Sequence, residues 1–458
     1  MTLAVLFVAL ALLRPVDHDE SQYVAATVLT AHGLLPYRDF AYLQTPLQPF
    51  LFAPIAWIAG PWTWPALRIA NALLGMVAVG FAHAAMRASG VRPRVALGVA
   101  ALFASCDILL FGIGTARNDA VPVALLAAAI WGYARGGMPV LVGALLAGAA
   151  AAKISYALPA AAYGLYALTH RGHRPALVAL GAAPVLALVG WTFALSPEGF
   201  LFGTLHFPAL APAEFYAARP WKLSWAGKAV DTLKFLALGA ALPALVVVAR
   251  DAWARRRLGL LDWLIVAGLV AALLPFPTWR QYLLPVLPPL FVRLAIAWPA
   301  GRRSAVIFAG FACIGILPTI FAIAEPGRLS LAQGLRDGAA LGRVLDAQHL
   351  TGPIATLSPE ILPMAERLPD PRFAAGPFYF RSHTLLDAAA ERRLRLMSRD
   401  RAAFEGGGVI LTGGESEATA GDPALDAAMV RGRRIGGAGR FSLYATPASP
   451  PPVRRNSP

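Results

Sequence analysis

Apolar runs of about 20 residues recur from the start of the chain to about position 323. A run of that length and composition crosses the ~30 Å hydrocarbon core of a bilayer as a helix. Of the 458 residues 57% are hydrophobic and only 14% charged, against ~25% charged in ordinary soluble domains. Such a chain folds as an all-α polytopic membrane protein. Short loops rich in arginine alternate along it: Arg87, Arg92 and Arg94; Arg135; Arg171 and Arg174; Arg250 and Arg255–Arg257; Arg302 and Arg303. Placing them on the inner side predicts eleven spans, at about 1–13, 64–86, 95–113, 120–134, 139–152, 154–168, 176–195, 232–249, 261–275, 281–298 and 304–323. Two long loops, 14–63 and 196–231, then face outside, as does everything after residue 324. The first run lacks the basic start and cleavage site of a signal peptide, and it reads as an uncleaved span.

The net charge of +15 is mostly topological. Residues 1–324 hold 23 basic and 11 acidic groups, and residues 325–458 hold 17 and 14. No interleaved basic and aromatic stripe of a nucleic-acid binder is present, so no nucleic-acid partner is expected. The two cysteines, Cys106 and Cys313, each sit inside an apolar run. They have no metal-ligand spacing and read as packing residues.

The first outer loop begins "PVDHDESQYVAATVLTAHGLL", which reads as a helix lying on the membrane surface. "PLQPFLFAPIAWIAG" follows as a short interfacial or re-entrant helix. After residue 324 the composition turns mixed and punctuated. "GPIATLS", "GGGVILTGG" and "RFSLYATP" predict strands, and "LAQGLRDGAALGRVLDAQ" and "LLDAAAERRLRLMSRDRAAF" predict amphipathic helices. This is a small C-terminal α/β domain over 325–447, extracytoplasmic by the topology, with a disordered tail at 448–458.

Charged groups beside low-dielectric surroundings are the candidate functional residues. Asp17, Asp19 and Glu20 crowd the exit of the first span, and a carboxylate so placed can serve as general base or metal ligand. The plain alternative is a solvated acidic loop. Asp19 and Tyr23 share a helix face at i, i+4. Asp119, in "GTARNDAVP", ends a short outer loop, where it can also cap the next helix; Arg117 beside it can pair with it or hold a phosphate. Lys153, one of four lysines, interrupts an apolar run, where a charge is costly and marks function more often than snorkelling. In "PFPTWRQYLLPVLPPL", Arg280 suits bidentate phosphate recognition and Tyr282 follows it. The loop around "HFPALAPAEFYAARPWKLSW" is either a lid or an interfacial segment. No P-loop, dinucleotide turn, HExxH or nucleophile elbow occurs in a sensible context. An activated substrate should therefore come from the membrane or from outside.

Together, "DHDESQYVAATVLTAHGLLPYRDFAYLQTPL", "ARNDA", "AKISYALP" and "RQYLLPVLPPL" resemble the GT-C superfamily of polytopic glycosyltransferases. The nearest look-alikes are protein O-mannosyltransferases and lipid A aminoarabinose transferases. The latter carry a lysine before Pro-Pro in the first loop, where this chain has Gln44 and Thr45. The resemblance implies an inverting transfer of a hexosyl or pentosyl group from a polyprenyl-phosphate donor to a hydroxyl of a glycan, lipid or protein, outside a bacterial plasma membrane. It implies catalytic roles for Asp19, Glu20 and Asp119, with Asp19 as base, Glu20 second to it and Asp17 replaceable. Donor and phosphate contacts fall to Lys153, Arg280, Tyr282, Arg117 and Tyr23. Asp19, Glu20 and Asp119 are the carboxylates that could hold Mg²⁺ or Mn²⁺, although the reaction can also run without metal. The competing reading is a transporter or flippase of lipid-linked saccharides. Such proteins carry internal repeats and midplane charges, neither of which stands out here.

Overall fold

The computed structural model describes residues 2–299, 301–396, 408–413 and 432–446. These residues are mostly helical, with one small sheet near the C-terminus. The chain divides into two compact units. The first holds Met1–Val16, Leu43–Phe52 and Pro65–Leu331, and the second Asp17–Tyr42, Ala53–Trp64 and Ala332–Pro458.

The first unit is the membrane unit. Among the described residues three helical segments are long and apolar enough to cross a bilayer by length and composition: Leu47–Ala88, of which Ala53–Trp64 belongs to the second unit, Pro175–Leu195 and Arg302–Ala324. Two bent pairs raise that to five, and further apolar helices such as Thr2–Leu13, Ala120–Arg135, Pro139–Ala152 and Leu260–Leu273 are shorter. Pro175–Leu195 exposes Leu180, Leu186 and Trp191, and Arg302–Ala324 exposes Val306, Ile307 and Phe321. Apolar faces of that kind suit lipid rather than water.

Two predicted spans are broken where the sequence reading has them continuous. Pro93–Ala104 and Asp107–Ile113 meet at 63°, and Trp225–Ala237 and Ala241–Arg255 at 96°. The two breaks satisfy each other: the Asp107 N–H donates to the Leu238 carbonyl at 3.1 Å. Backbone groups freed at membrane depth need such internal partners. Gly239 sits in the second break at φ +125°, and a Cβ there would lie 2.9 Å from the Cys106 Cα. Cys106 therefore packs in the core as expected, while Cys313 lies exposed on its helix. Elsewhere Pro139–Ala152 and Pro175–Leu195 approach through reciprocal glycines. A Cβ on Gly143 would fall 1.9 Å from the Val178 carbonyl, and one on Gly181 1.8 Å from that of Val140. Small residues allow this closeness between membrane helices. The predicted re-entrant segment and second span instead run on as the helical stretch Leu47–Ala88, through a 3₁₀ turn at Gly60–Trp62.

The 196–231 loop is helical through much of its length, and it is tied down within this unit. Lys222 and Lys234 both pair with Asp231. The Lys228 ammonium lies 3.3 Å from the Phe276 ring centroid.

The second unit joins part of the first loop to the C-terminal region. Its helix Glu20–Ala31 packs against the 3₁₀ turn Pro359–Ile361. Gly376, at φ +58°, brings its backbone so close to this helix that a Cβ would meet Ser21 Oγ at 2.3 Å. Arg38 hydrogen-bonds Asp39 in the loop beyond and holds its carboxyl below the usual carboxylate range. The sheet contains β1 (Ile354–Ala355), β2 (Gly408–Thr412), β3 (Arg433–Ala438) and β4 (Phe441–Thr446), in the order β1-β2-β4-β3. β1 and β2 run parallel, and the other pairs antiparallel, with Ile410 opposite Tyr444. Ala355, Leu357, Phe373, Phe380 and Ile410 form its core. The predicted first amphipathic helix is Leu331–Ala347. Of the second, Ala388–Arg393 is helical, and its end, like the predicted tail, lies outside the described residues.

Candidate functional site

The first-loop acids sit at the start of the helix Glu20–Ala31, in the second unit. Asp19 occupies the cap position, yet its side chain makes no capping hydrogen bond. The Asp19 N–H donates to Asp17 Oδ1 at 3.0 Å, so Asp17 shapes the turn that presents Asp19. His18 lies between the two carboxylates, 3.2 Å from Asp19 and 3.6 Å from Asp17. Glu20 differs from both. It is fully buried and accepts from the Asp17 N–H and from Trp64 Nε1, each at 3.0 Å. Its two oxygens are thus committed to structure, whereas the side chains of Asp17 and Asp19 are 16% and 14% exposed. Tyr23 is buried on the same helix.

Asp17, His18 and Asp19 also offer three ligand atoms within 4.8 Å of one another. Two carboxylates and an imidazole make a donor set that a divalent cation such as Mn²⁺ or Zn²⁺ accepts. Glu20 is not in that group, and His18 is a member that the sequence reading did not single out.

Asp119 belongs to the membrane unit and has a different environment. It too stands at a helix start, before Ala120–Arg135, without a side-chain cap bond. The carboxylate is fully buried between two cations, accepting from Arg117 Nε at 3.0 Å and pairing directly with Lys153. The expected capping role gives way to this double ion pair. Lys153 sits at the break between Pro139–Ala152 and Ala157–Thr169, in extended backbone. There its ammonium reaches Asp119 and lies 5.9 Å from the Tyr282 ring centroid. Gln44 accepts from Asn118 at 3.2 Å, beside Asp119.

Arg280 contacts both oxygens of Asp107, at 3.1 and 3.0 Å. Its guanidinium lies 3.8 Å from the Phe111 ring centroid. Arg117 and Arg14 gather at the same ring, at 4.7 and 4.9 Å. Three guanidiniums thus share one aromatic face or edge, an arrangement cation–π attraction supports. Arg117 and Lys153 pair with Asp119, Arg280 pairs with Asp107, and Arg14 donates to the Leu110 carbonyl. Ser155 Oγ, Tyr156 OH and Asn118 Oδ1, neighbours of this cluster in sequence, are buried without a hydrogen-bond partner.

Further residues set the frame. Arg68, fully buried, donates to the carbonyls of Ala11, Arg14 and Pro15 at 2.9, 2.6 and 3.2 Å, fixing the end of the first helix. Asn71, one turn on, donates to the carbonyls of Thr115 and Arg117, both at 2.7 Å. The sequence reading passed over Arg14, Arg68, Asn71, Asp107 and Phe111. The available signal was polarity: Arg68, Asn71 and Asp107 each interrupt an apolar run, where such groups are costly.

The fold that carries these groups is one shared with solved structures. In structure the chain is similar to ArnT from Cupriavidus metallidurans bound to undecaprenyl phosphate, at 15% identity over 98% of both chains with a TM-score of 0.62. It is similar to the same enzyme in the apo state at 17% identity, again over 98% of both chains, with a TM-score of 0.63. By sequence, no known family and no characterised protein matches.

Proposed function

We propose that the protein is a membrane glycosyltransferase. It moves a sugar from a polyprenyl-phosphate donor to a hydroxyl of a glycan, lipid or protein on the extracytoplasmic face of a bacterial plasma membrane, with inversion. The observation that carries this reading is the gathering of the Arg14, Arg117 and Arg280 guanidiniums at the Phe111 ring. Guanidiniums clustered in a low-dielectric region suit an anionic ligand. The unpartnered polar atoms at Ser155, Tyr156 and Asn118 add hydrogen-bonding capacity for such a ligand. Arginine forks match phosphate geometry. The similar ArnT structure carries undecaprenyl phosphate, which favours a lipid phosphate as that anion.

In this reading Asp19 takes the proton from the acceptor hydroxyl. The acceptor oxygen bonds to the anomeric carbon as the bond from that carbon to the phosphate oxygen breaks. The lipid phosphate leaves with the electron pair. A stable anionic leaving group needs cations more than a general acid, which is the part given to Arg117, Lys153, Arg280 and Arg14. Asp119 holds Arg117 and Lys153 in position, Asp17 orients Asp19, and substrate contacts are given to Tyr282 and to Tyr23. Asp17, His18 and Asp19 would hold a divalent metal, which supplies a Lewis acid for the hydroxyl or phosphate oxygen when bound.

The test incubates purified protein with polyprenyl-phosphate-linked sugars and candidate acceptors, following transfer and stereochemistry. Transfer by the wild type, lost in Asp19→Asn with donor binding intact, supports the reading. Movement of lipid-linked saccharide across vesicles without any transfer would sink it in favour of the transporter. An EDTA titration with Mn²⁺ add-back measures the metal requirement.

A further inference from the structure

Far from these residues in sequence, the consecutive helices Ala241–Arg255 and Leu260–Leu273 of the membrane unit, each packed on Leu287–Ile296, line a cavity of about 690 Å³. That volume lies within the range of small-molecule sites, ~300–1,000 Å³. Its walls are apolar, from Leu245 and Val248 on one helix and Ile265, Val266 and Leu269 on the other. Its mouth carries Trp253, Arg256 and Arg257. Trp253 is 86% exposed, as an indole at a membrane–water interface can be.

Charge decides what this cavity takes. Two acids stand nearby, and both are matched. Asp262 accepts from Arg293 at 3.0 Å, from the Gly259 N–H at 2.8 Å and from Arg255 at 3.4 Å. Asp251 pairs with Arg293 and with Arg255. Arg256 and Arg257 are exposed, with no acid partner among the described residues. Arg256 ends its helix in the left-handed region at φ +51°, which turns the chain at the mouth. The four arginines of this loop assign it to the cytoplasmic side by the positive-inside rule.

We infer that the cavity between these two helices binds one anionic phospholipid of the surrounding bilayer, its acyl chain along the apolar walls and its phosphate on Arg256 and Arg257. Basic pockets between membrane helices on the cytoplasmic side suit such headgroups. The site shares no residue with the proposed donor site, and it stands or falls independently of the transferase reading.

The test is native mass spectrometry of the full-length protein, delipidated and then titrated with phosphatidylglycerol or phosphatidylcholine. The wild type is expected to keep one phosphatidylglycerol more tightly than phosphatidylcholine. Arg256→Gln/Arg257→Gln should bind it about 30-fold more weakly, since each surface arginine contributes roughly 1 kcal/mol toward an anionic lipid. Val266→Trp, which fills the cavity and leaves the charges in place, should lower occupancy as well. Equal binding by wild type and the double arginine variant would overturn the inference. So would equal retention of the two lipids, or displacement of phosphatidylglycerol by inorganic phosphate alone. Thermal unfolding in detergent verifies that both variants fold.

Discussion

Asp19 and Asp119 are the same residue type at the same kind of position, the residue before a helix. Neither caps its helix, and their surroundings give them different work. Asp119 is enclosed, with a guanidinium and an ammonium on its two oxygens. A carboxylate so held balances two buried cations. Asp19 keeps some exposure, and the His18 imidazole stands beside it. The proposed mechanism accordingly gives the proton transfer to Asp19 and the holding of cations to Asp119.

The largest expected effect tests that contrast directly. Asp19→Asn should lower the transfer rate by about 10²–10⁴-fold, the usual contribution of a general base, with donor affinity little changed. Asp119→Asn should act first on stability and donor affinity. Breaking a buried ion pair from one side costs about 3–5 kcal/mol, seen as a lowered unfolding temperature. The double variant Asp119→Asn/Lys153→Met should recover part of that loss, because it removes one stranded charge together with its partner. A double variant no more stable than Asp119→Asn would show that the carboxylate is not there to balance Lys153.

Arg280→Lys comes next. It keeps the charge and loses the planar guanidinium that lies over the Phe111 ring while its Nη1 meets both Asp107 oxygens. Lysine is a point charge and does not replace a guanidinium held on an aromatic ring. Donor affinity should fall about tenfold, worth ~1.4 kcal/mol, in a binding titration with polyprenyl phosphate. An unchanged affinity would remove Arg280 from the phosphate-binding group.

How far the two regions could be read beforehand also differs. Asp19, Asp119, Lys153 and Arg280 stood out because charge in or beside an apolar run needs a reason. Their partners did not. Asp107 meets Arg280 across 173 positions, and it does so only because a span breaks at Ser105–Cys106, a break made possible by Leu238 and Gly239. Phe111 is one apolar residue among many until three guanidiniums converge on it. Helix lengths suffered likewise: hydropathy marks what can sit in lipid, and the bends depend on contacts remote in sequence. In the C-terminal sheet the three strands with apolar alternation were legible. β3, "RRIGGA", was not, because it joins the sheet only by pairing with β4 and exposes both arginines.

The smallest expected effect concerns the residue next to the proposed base. Glu20 accepts at both oxygens, from the Asp17 N–H and from Trp64. Glutamine offers one acceptor and one donor. Glu20→Gln must therefore turn its amide N–H₂ toward one of two N–H donors, leaving that buried donor unpaired at about 1–3 kcal/mol. The expected phenotype is a modest fall in unfolding temperature and a rate within about tenfold of wild type, from a slight shift of the turn that presents Asp19. If Glu20 were itself the base, the same substitution would abolish transfer as completely as Asp19→Asn, on top of that stability loss. Measuring the transfer rate of both variants, with folding checked by unfolding temperature, separates the two assignments.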